Sequence, residues 1–155
     1  MEVVGLVGSC ALLGDDAAAA RLYDLLLPYR GWHLGAGPMV YLGAGDHHLG
    51  VLAATAGRWD DAELHLLAAM VAHRRLGAKP WLALSRQAYA GMLRGRARRG
   101  DQRRAEVFDA ATNAAAARLG MELPGWGRPA LGPLPQPPRP ANGHAGGRSG
   151  SARRS

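Results

Sequence analysis

Glycines at 14, 57 and 100 stand 43 residues apart, and alanines at 19, 62 and 105 keep the same interval. The segments between them run Gly-Asp-Asp-Ala-Ala-Ala, Gly-Arg-Trp-Asp-Asp-Ala and Gly-Asp-Gln-Arg-Arg-Ala. The second and third copies also end alike, as Arg75-Leu76-Gly77 and Arg118-Leu119-Gly120. A constant period in the forties, punctuated by glycine, is the signature of stacked helical hairpins. Each hairpin is too small to bury its own apolar face, so a core forms only when neighbours stack. The pattern therefore predicts an all-α solenoid of about three hairpins, with copies at about 2–38, 39–79 and 80–123.

Within each copy the glycine is read as the turn, because it takes positive φ at no steric cost. An aspartate follows each glycine, Asp15, Asp60 and Asp101, and is read as the cap of the next helix. Asp60 and Glu63 have the spacing of a capping box. Second helices are expected at about 16–27, 60–76 and 102–119. The middle one shows an apolar stripe of Ala62, Leu66, Ala69, Met70 and His73 at steps of three and four. In the first, Leu22, Tyr23, Leu25 and Leu26 precede Pro28, which stops it; in the third, Ala105, Phe108, Ala111 and Leu119 recur.

First helices are expected at about 2–13, 39–56 and 80–98, the last opening on Pro80. Gly43, Gly45 and Gly50 weaken the middle one by roughly 1 kcal/mol each. Either they let neighbouring backbones approach closely, or the helix begins only at Asp46. The glycine-rich stretch from Gly31 to Gly45 reads as a connecting loop. The first helix, with Val3, Val4, Leu6 and Val7, is apolar nearly all round and lacks a cap. It looks like the interior of a longer array, and its exposed apolar surface predicts self-association or marginal stability of the isolated chain.

Charge divides the chain. All twelve acidic residues precede residue 124, where fourteen basic residues nearly balance them. Residues 124–155 hold five arginines, seven prolines, seven glycines and no acid. So little apolar surface cannot offset ordering entropy, and this segment is expected to be a disordered tail after a 1–123 repeat domain. Eighteen arginines against one lysine, with abundant alanine and glycine, reflect a GC-rich coding bias more simply than a polyanionic ligand. The lone Cys10 excludes an internal disulfide and fits a cytoplasmic location. No run of 18 apolar residues is present, so no membrane-spanning helix is expected.

The segment Gly57-Arg58-Trp59-Asp60-Asp61-Ala62, with Gly50 before it and Leu66 and Ala69 after it, resembles a tetratricopeptide repeat. The repeat signature comprises Gly14, Ala19, Gly57, Trp59, Ala62, Gly100 and Ala105. Two departures count: the family's closing proline is displaced to Pro80, and its usual period is shorter. Copies one and three match only at glycine, aspartate and alanine.

Leu25-Leu26-Leu27-Pro28-Tyr29, Asp46 to Thr55 and Arg75 to Ala83 further resemble the C-terminal repeat arm of large actinobacterial signalling ATPases, over about residues 5–122. Some of those proteins carry a LuxR-type DNA-binding domain or a nucleotide cyclase domain. The resemblance implies a sensing or scaffolding segment whose partner is another protein or an upstream domain, bound in the groove lined by the first helices. The ATPase, cyclase and DNA-binding domains have no counterpart among these residues.

No enzymatic chemistry is legible, and no cofactor or metal is expected. A phosphate-binding loop needs Gly-x-x-x-x-Gly-Lys-Ser/Thr, and the only lysine, Lys79, precedes a proline. His47 and His48 are adjacent, His65 and His73 lie eight apart, and no His-Glu-x-x-His occurs. His47 is expected to pack or hydrogen-bond between helices. Ser9 and Ser85 lack a nucleophile elbow and, in sequence, a converging base. Arg94, Arg96, Arg98, Arg99, Arg103 and Arg104 form one basic cluster, a candidate nucleic-acid patch without the interleaved aromatics that stack bases. The reading is thus an interaction module, a fragment or remnant of a larger regulator. The alternatives are a small DNA-associated regulator using the arginines and tail, and a non-functional gene fragment. The purified chain is expected neither to bind nor to hydrolyse ATP; saturable binding in equilibrium dialysis overturns that expectation.

Overall fold

The computed structural model describes residues 2–36 and 40–123, with side-chain environments from Gly5 onward. The expected tail at 124–155 and the Val3 and Val4 side chains lie outside the described residues. Six α-helices follow in chain order: α1 (Glu2–Leu13), α2 (Asp16–Leu26), α3 (Gly45–Thr55), α4 (Trp59–Leu76), α5 (Lys79–Arg96) and α6 (Asp101–Leu119). A 3-10 turn at Leu27–Tyr29, carrying Pro28, and a two-stranded sheet lie between α2 and α3. Consecutive helices pack on each other, and α3 also touches α1, α2 and α5. Helix dominates the described residues, consistent with the all-α expectation, with one short two-stranded sheet.

Glycine makes the turns that join the helices, as its conformational freedom allows. Gly14, Gly57 and Gly100 all have positive φ, at 66°, 71° and 84°. The three period alanines, Ala19, Ala62 and Ala105, are each fully buried. Asp15 caps α2 as expected, its carboxylate accepting the Ala18 amide at 2.9 Å. Asp60 does not cap α4: Arg58 is the cap residue, and Asp60 lies in the first turn and pairs with Arg98 at 3.1 Å. The capping box fails for the same reason, because Glu63 is drawn away toward Tyr89 and two arginines. Asp101 opens α6 behind Gly100, and its carboxylate accepts the Arg98 amide and the Arg96 guanidinium instead.

The Gly31–Gly45 stretch is not a plain loop. His33–Ala36 (β1) and Val40–Ala44 (β2) pair antiparallel, His33 opposite Ala44 and Ala36 opposite Val40. Burial alternates along β1 with the period of two that strands have. The register skips Leu42 between Gly43 opposite Leu34 and Tyr41 opposite Gly35, which is a β-bulge. The boundary placed at residue 39 therefore separates two strands that pair with each other. The two intervals of 43 residues are filled differently. The first holds a short helix, the sheet and another short helix, whereas the second holds two helices of 18 residues each.

Both readings of the middle glycines hold. The helix begins at Gly45, close to the later start, and the glycines also sit at close approaches. A Cβ on Gly43 would lie 2.7 Å from the Trp81 ring, one on Gly45 would strike the Tyr29 carbonyl, and one on Gly50 would lie 2.5 Å from Leu66 Cγ. Leu49, Leu52, Leu66, Tyr89 and Leu93 form the fully buried centre around this contact. Of the predicted stripes, all five α4 positions are buried, whereas Leu25 of α2 and Leu119 of α6 are exposed.

The Gly50 contact yields a paired test. Helix propensity alone makes Gly→Ala stabilising by roughly 1 kcal/mol in any helix interior. Gly8→Ala in α1 should show that gain, since a Cβ there meets nothing within 4 Å. Gly50→Ala should instead lower the urea midpoint, because overpacking costs about 1–3 kcal/mol. Equal effects of the two substitutions in urea unfolding would refute the close α3–α4 packing.

Candidate functional site

Three features have the makings of a site: a groove among the first helices, a buried imidazole network, and the arginine cluster. The groove encloses about 190 Å³ and is lined by Ala11 of α1, Val51, Ala54 and Thr55 of α3, Trp59 at the start of α4, and Ala88, Gly91, Met92 and Gly95 of α5. The small residues open it. Gly95 lets the Trp59 ring lie against α5, where a Cβ would come within 2.9 Å of that ring. The Thr55 hydroxyl is already engaged, donating to the Val51 carbonyl at 3.0 Å. None of the nine lining residues is ionisable. Such a surface holds apolar side chains but has no acid, base or nucleophile with which to transform them. Of its residues only Trp59 belongs to the repeat signature; the α5 residues escaped notice because small side chains carry no motif.

The second feature is a set of buried polar bonds around α3. The Ala44 amide donates to His73 Nε2 at 2.9 Å, so that nitrogen is unprotonated and Nδ1 carries the hydrogen. His73 Nδ1 then donates to Ser85 Oγ at 3.0 Å, and the Ser85 hydroxyl donates to His47 Nδ1 at 2.9 Å. His48 Nε2 donates at 2.8 Å to the carbonyl of Leu42, the residue that the bulge releases from the sheet ladder. Trp81 meets the rings of His47 and His73 at centroid distances of 5.3 and 5.9 Å. His47 thus bonds between helices as expected. Ser85, in contrast, has two converging imidazoles where the sequence showed none, because residues 38 and 12 positions away meet only through the fold. Ser85, His47 and His73 are all fully buried, so no substrate reaches this hydroxyl.

A second chain of bonds links α2, α3 and α4. Asp46 Oδ2 accepts the Gly31 amide at 2.8 Å, Asp46 Oδ1 accepts from His65 Nδ1 at 2.7 Å, and His65 Nε2 bonds the Tyr23 hydroxyl at 2.9 Å. Burial pushes the Asp46 carboxyl up, and the bonds from His65 and Gly31 more than offset it, leaving it below its ordinary value. The Arg58 guanidinium lies 4.1 Å over the Tyr23 ring, at the end of this chain of bonds. Among the described residues, no group of three or more His, Cys, Asp or Glu is placed to hold a metal ion.

The arginine cluster is largely spent on internal pairs. Arg94 pairs with Asp109, and Arg98 with Asp60. The Arg96 side chain is 4% exposed and bridges Glu63 and Asp101; Arg104 meets Glu63, Asp101 and Tyr89. The Tyr89 hydroxyl and the two guanidiniums hold the Glu63 carboxyl at about 2, against the penalty of burial. Burial and the Glu63 carboxylate in turn push the Tyr89 hydroxyl up to about 12. Arg99 and Arg103 alone of the six have no ion pair among the described residues.

No protein-family model matches this chain, and no curated protein or solved structure matches it either. Among the described residues, no helix is long and apolar enough to cross a membrane.

The imidazole network sets a pH dependence. Burial, with the neighbouring His33 and His48, lowers His73 from 6.5 to about 4; burial, with His48 and His73 nearby, holds His47 well below its ordinary value. The unfolded chain takes up these protons at a higher pH than the folded one. Their contribution to stability is therefore fully present above pH 6.5 and drains away as pH falls toward 4, by roughly 3 kcal/mol for His73 alone. Below that window Glu63 and Asp101, both held at about 2, add their own loss. His73→Leu should start less stable yet show a shallower fall across that window; an unchanged slope in urea titrations excludes a neutral buried His73.

Proposed function

We propose that the chain is a protein-interaction or sensor module of tetratricopeptide type, a segment of a larger ATP-binding transcriptional or signalling regulator. The observation that carries this reading is the groove. Eight of its nine lining residues come from α1, α3 and α5, read as the first helices of the hairpins, with Trp59 of α4 beside them; that is the face where such repeats take a partner by fold-level analogy. Its apolar lining, free of ionisable groups, suits an apolar anchor on an incoming peptide or domain. The buried Ala19, Ala62 and Ala105 and the Gly50–Leu66 contact support the repeat register on which the groove assignment rests. Internal pairing of four of the six clustered arginines favours this reading over the DNA-associated one.

The test is selection of a displayed random-peptide library on the full chain. Peptides with one or two large apolar anchors should emerge, and Ala88→Trp, which fills the groove, should weaken their binding by at least roughly tenfold, about 1.4 kcal/mol. Leu67→Ala on exposed α4 should leave binding unchanged. Peptides indifferent to Ala88→Trp would dispose of the groove. DNA binding with a steep salt slope, lost on replacing Arg99 and Arg103, would favour the alternative.

A further inference from the structure

Three turns border the groove. Ala11 lies in the last turn of α1, and the Asp15 amide bonds back to the Cys10 carbonyl at 3.3 Å, which holds the α1–α2 turn against that wall. Thr55 ends α3 and Trp59 opens α4, so the α3–α4 turn stands between the other two, as α3 contacts both α1 and α5. Gly95 is the last residue but one of α5, and the α5–α6 turn follows it. The Arg98–Asp60 pair ties this third turn to the start of α4, beside Trp59.

The charges along this border are graded. Residues 14–17 hold two acids, Asp15 and Asp16, and no base, whereas residues 97–103 hold Arg98, Arg99 and Arg103 against one acid, Asp101. The middle turn is neutralised from within: Arg58 pairs with Asp61 at 2.8 Å, and Asp60 is taken by Arg98. Pairing removes other charges at the basic end, since Asp101 is bound by Arg96, and Arg94 by Asp109. One sign is then left at each end. The Asp16 side chain has neither hydrogen bond nor ion pair among the described residues, and Asp15 uses one oxygen on the Ala18 amide. Arg99 and Arg103 have no ion pair there either, and all four residues are exposed.

Resting on the reading of the groove as the binding face, we propose that its partner is an extended peptide of mixed charge. An apolar side chain fills the groove, basic residues lie at the α1–α2 turn, and acidic residues lie at the α5–α6 turn. Exposed charges of this kind each add little affinity, but they orient the encounter and raise its rate. A peptide laid the other way round sets like charges together at both ends. A wholly acidic partner, nucleic acid included, is repelled at the Asp15–Asp16 end.

The probe is a fluorescein-labelled synthetic peptide with a lysine pair, an alanine spacer, a tryptophan, a second spacer and a glutamate pair, made in both chain directions. Its association with the full chain is followed by stopped-flow polarisation. At low salt it should associate at least roughly fivefold faster than a neutral peptide with the same anchor, and the difference should vanish at high salt. Arg99→Glu with Arg103→Glu should abolish the advantage, and a peptide whose glutamate pair is replaced by lysine should recover it. Asp16→Lys should be recovered likewise by replacing the lysine pair with glutamate. Recovery by exchanged charge cannot come from altered stability. Equal rates for the mixed and neutral peptides, with both weakened by Ala88→Trp, would overturn the charge assignment and leave the groove standing. Binding indifferent to Ala88→Trp, or no binding, would overturn both. A peptide with glutamate at both ends that outpaces the mixed one would leave the arginines alone to choose the partner. Binding that weakens as chain concentration rises would put a second copy in the groove, and binding that appears only after Leu131→Asp with Leu134→Asp would put residues 124–155 there; each of these three results also overturns the proposal.

Discussion

His73 receives the Ala44 amide on one ring nitrogen and gives a hydrogen to Ser85 from the other, and the first of these bonds exists only while the ring is neutral. The sheet, α3, α4 and α5 all meet at that arrangement. Ala44 ends β2, His47 lies one turn into α3, His73 is near the end of α4, and Ser85 is in α5. The sheet could not be held by apolar contact alone, since β1 alternates between exposed and half-buried residues. Along the run from Ala44 through His73 and Ser85 to His47, each hydrogen has a definite direction, so the bonds reinforce one another. That fixes how far α5 sits from α3, and hence the width of the groove between them.

Charge organises the far end of the chain in a different way. Arg96 reaches under the α5–α6 connection to Asp101 and across to Glu63 of α4, while Arg104 closes the ring from α6. The connection itself carries a left-handed Ala97 with φ 53°, a conformation that alanine adopts only at a cost. The Arg98 amide bonded to the Asp101 carboxylate holds that bend. Imidazoles thus bind the middle of the molecule and guanidiniums its C-terminal hairpin.

Helix positions were legible because glycine with positive φ, proline and apolar spacing act within a few residues. Gly14, Gly57, Pro28 and Pro80 each mark a boundary that the structure keeps to within a residue or two. The sheet was not legible, because His33–Ala36 and Val40–Ala44 are short, glycine-bearing, and stabilised by His48 and His73, which lie outside them. Asp60 misled because its capping position is defined by backbone angles that sequence does not reveal. Arg94 to Arg104 looked like a free basic patch because, apart from Asp101 within it and Asp109 just beyond, its carboxylate partners Asp60 and Glu63 lie far along the chain. The residues of the groove were not legible: Ala88 and Gly91 become informative only when α3 lies beside them.

The unequal filling of the two periods has a consequence for motion. The first hairpin has helices of 12 and 11 residues, whereas α5 and α6 have 18 and 19 and share the densest packing in the chain. Local opening in such arrays follows the number of neighbours that each unit must give up. Amide protons should therefore exchange in a gradient, fastest in α1, which has contacts on one side only, and slowest in α3 and α5. A chain built this way breathes from one end, and α1 lines the groove through Ala11. Its fraying would open the groove from that side without disturbing the imidazole lattice, whose bonds lie among β2, α3, α4 and α5.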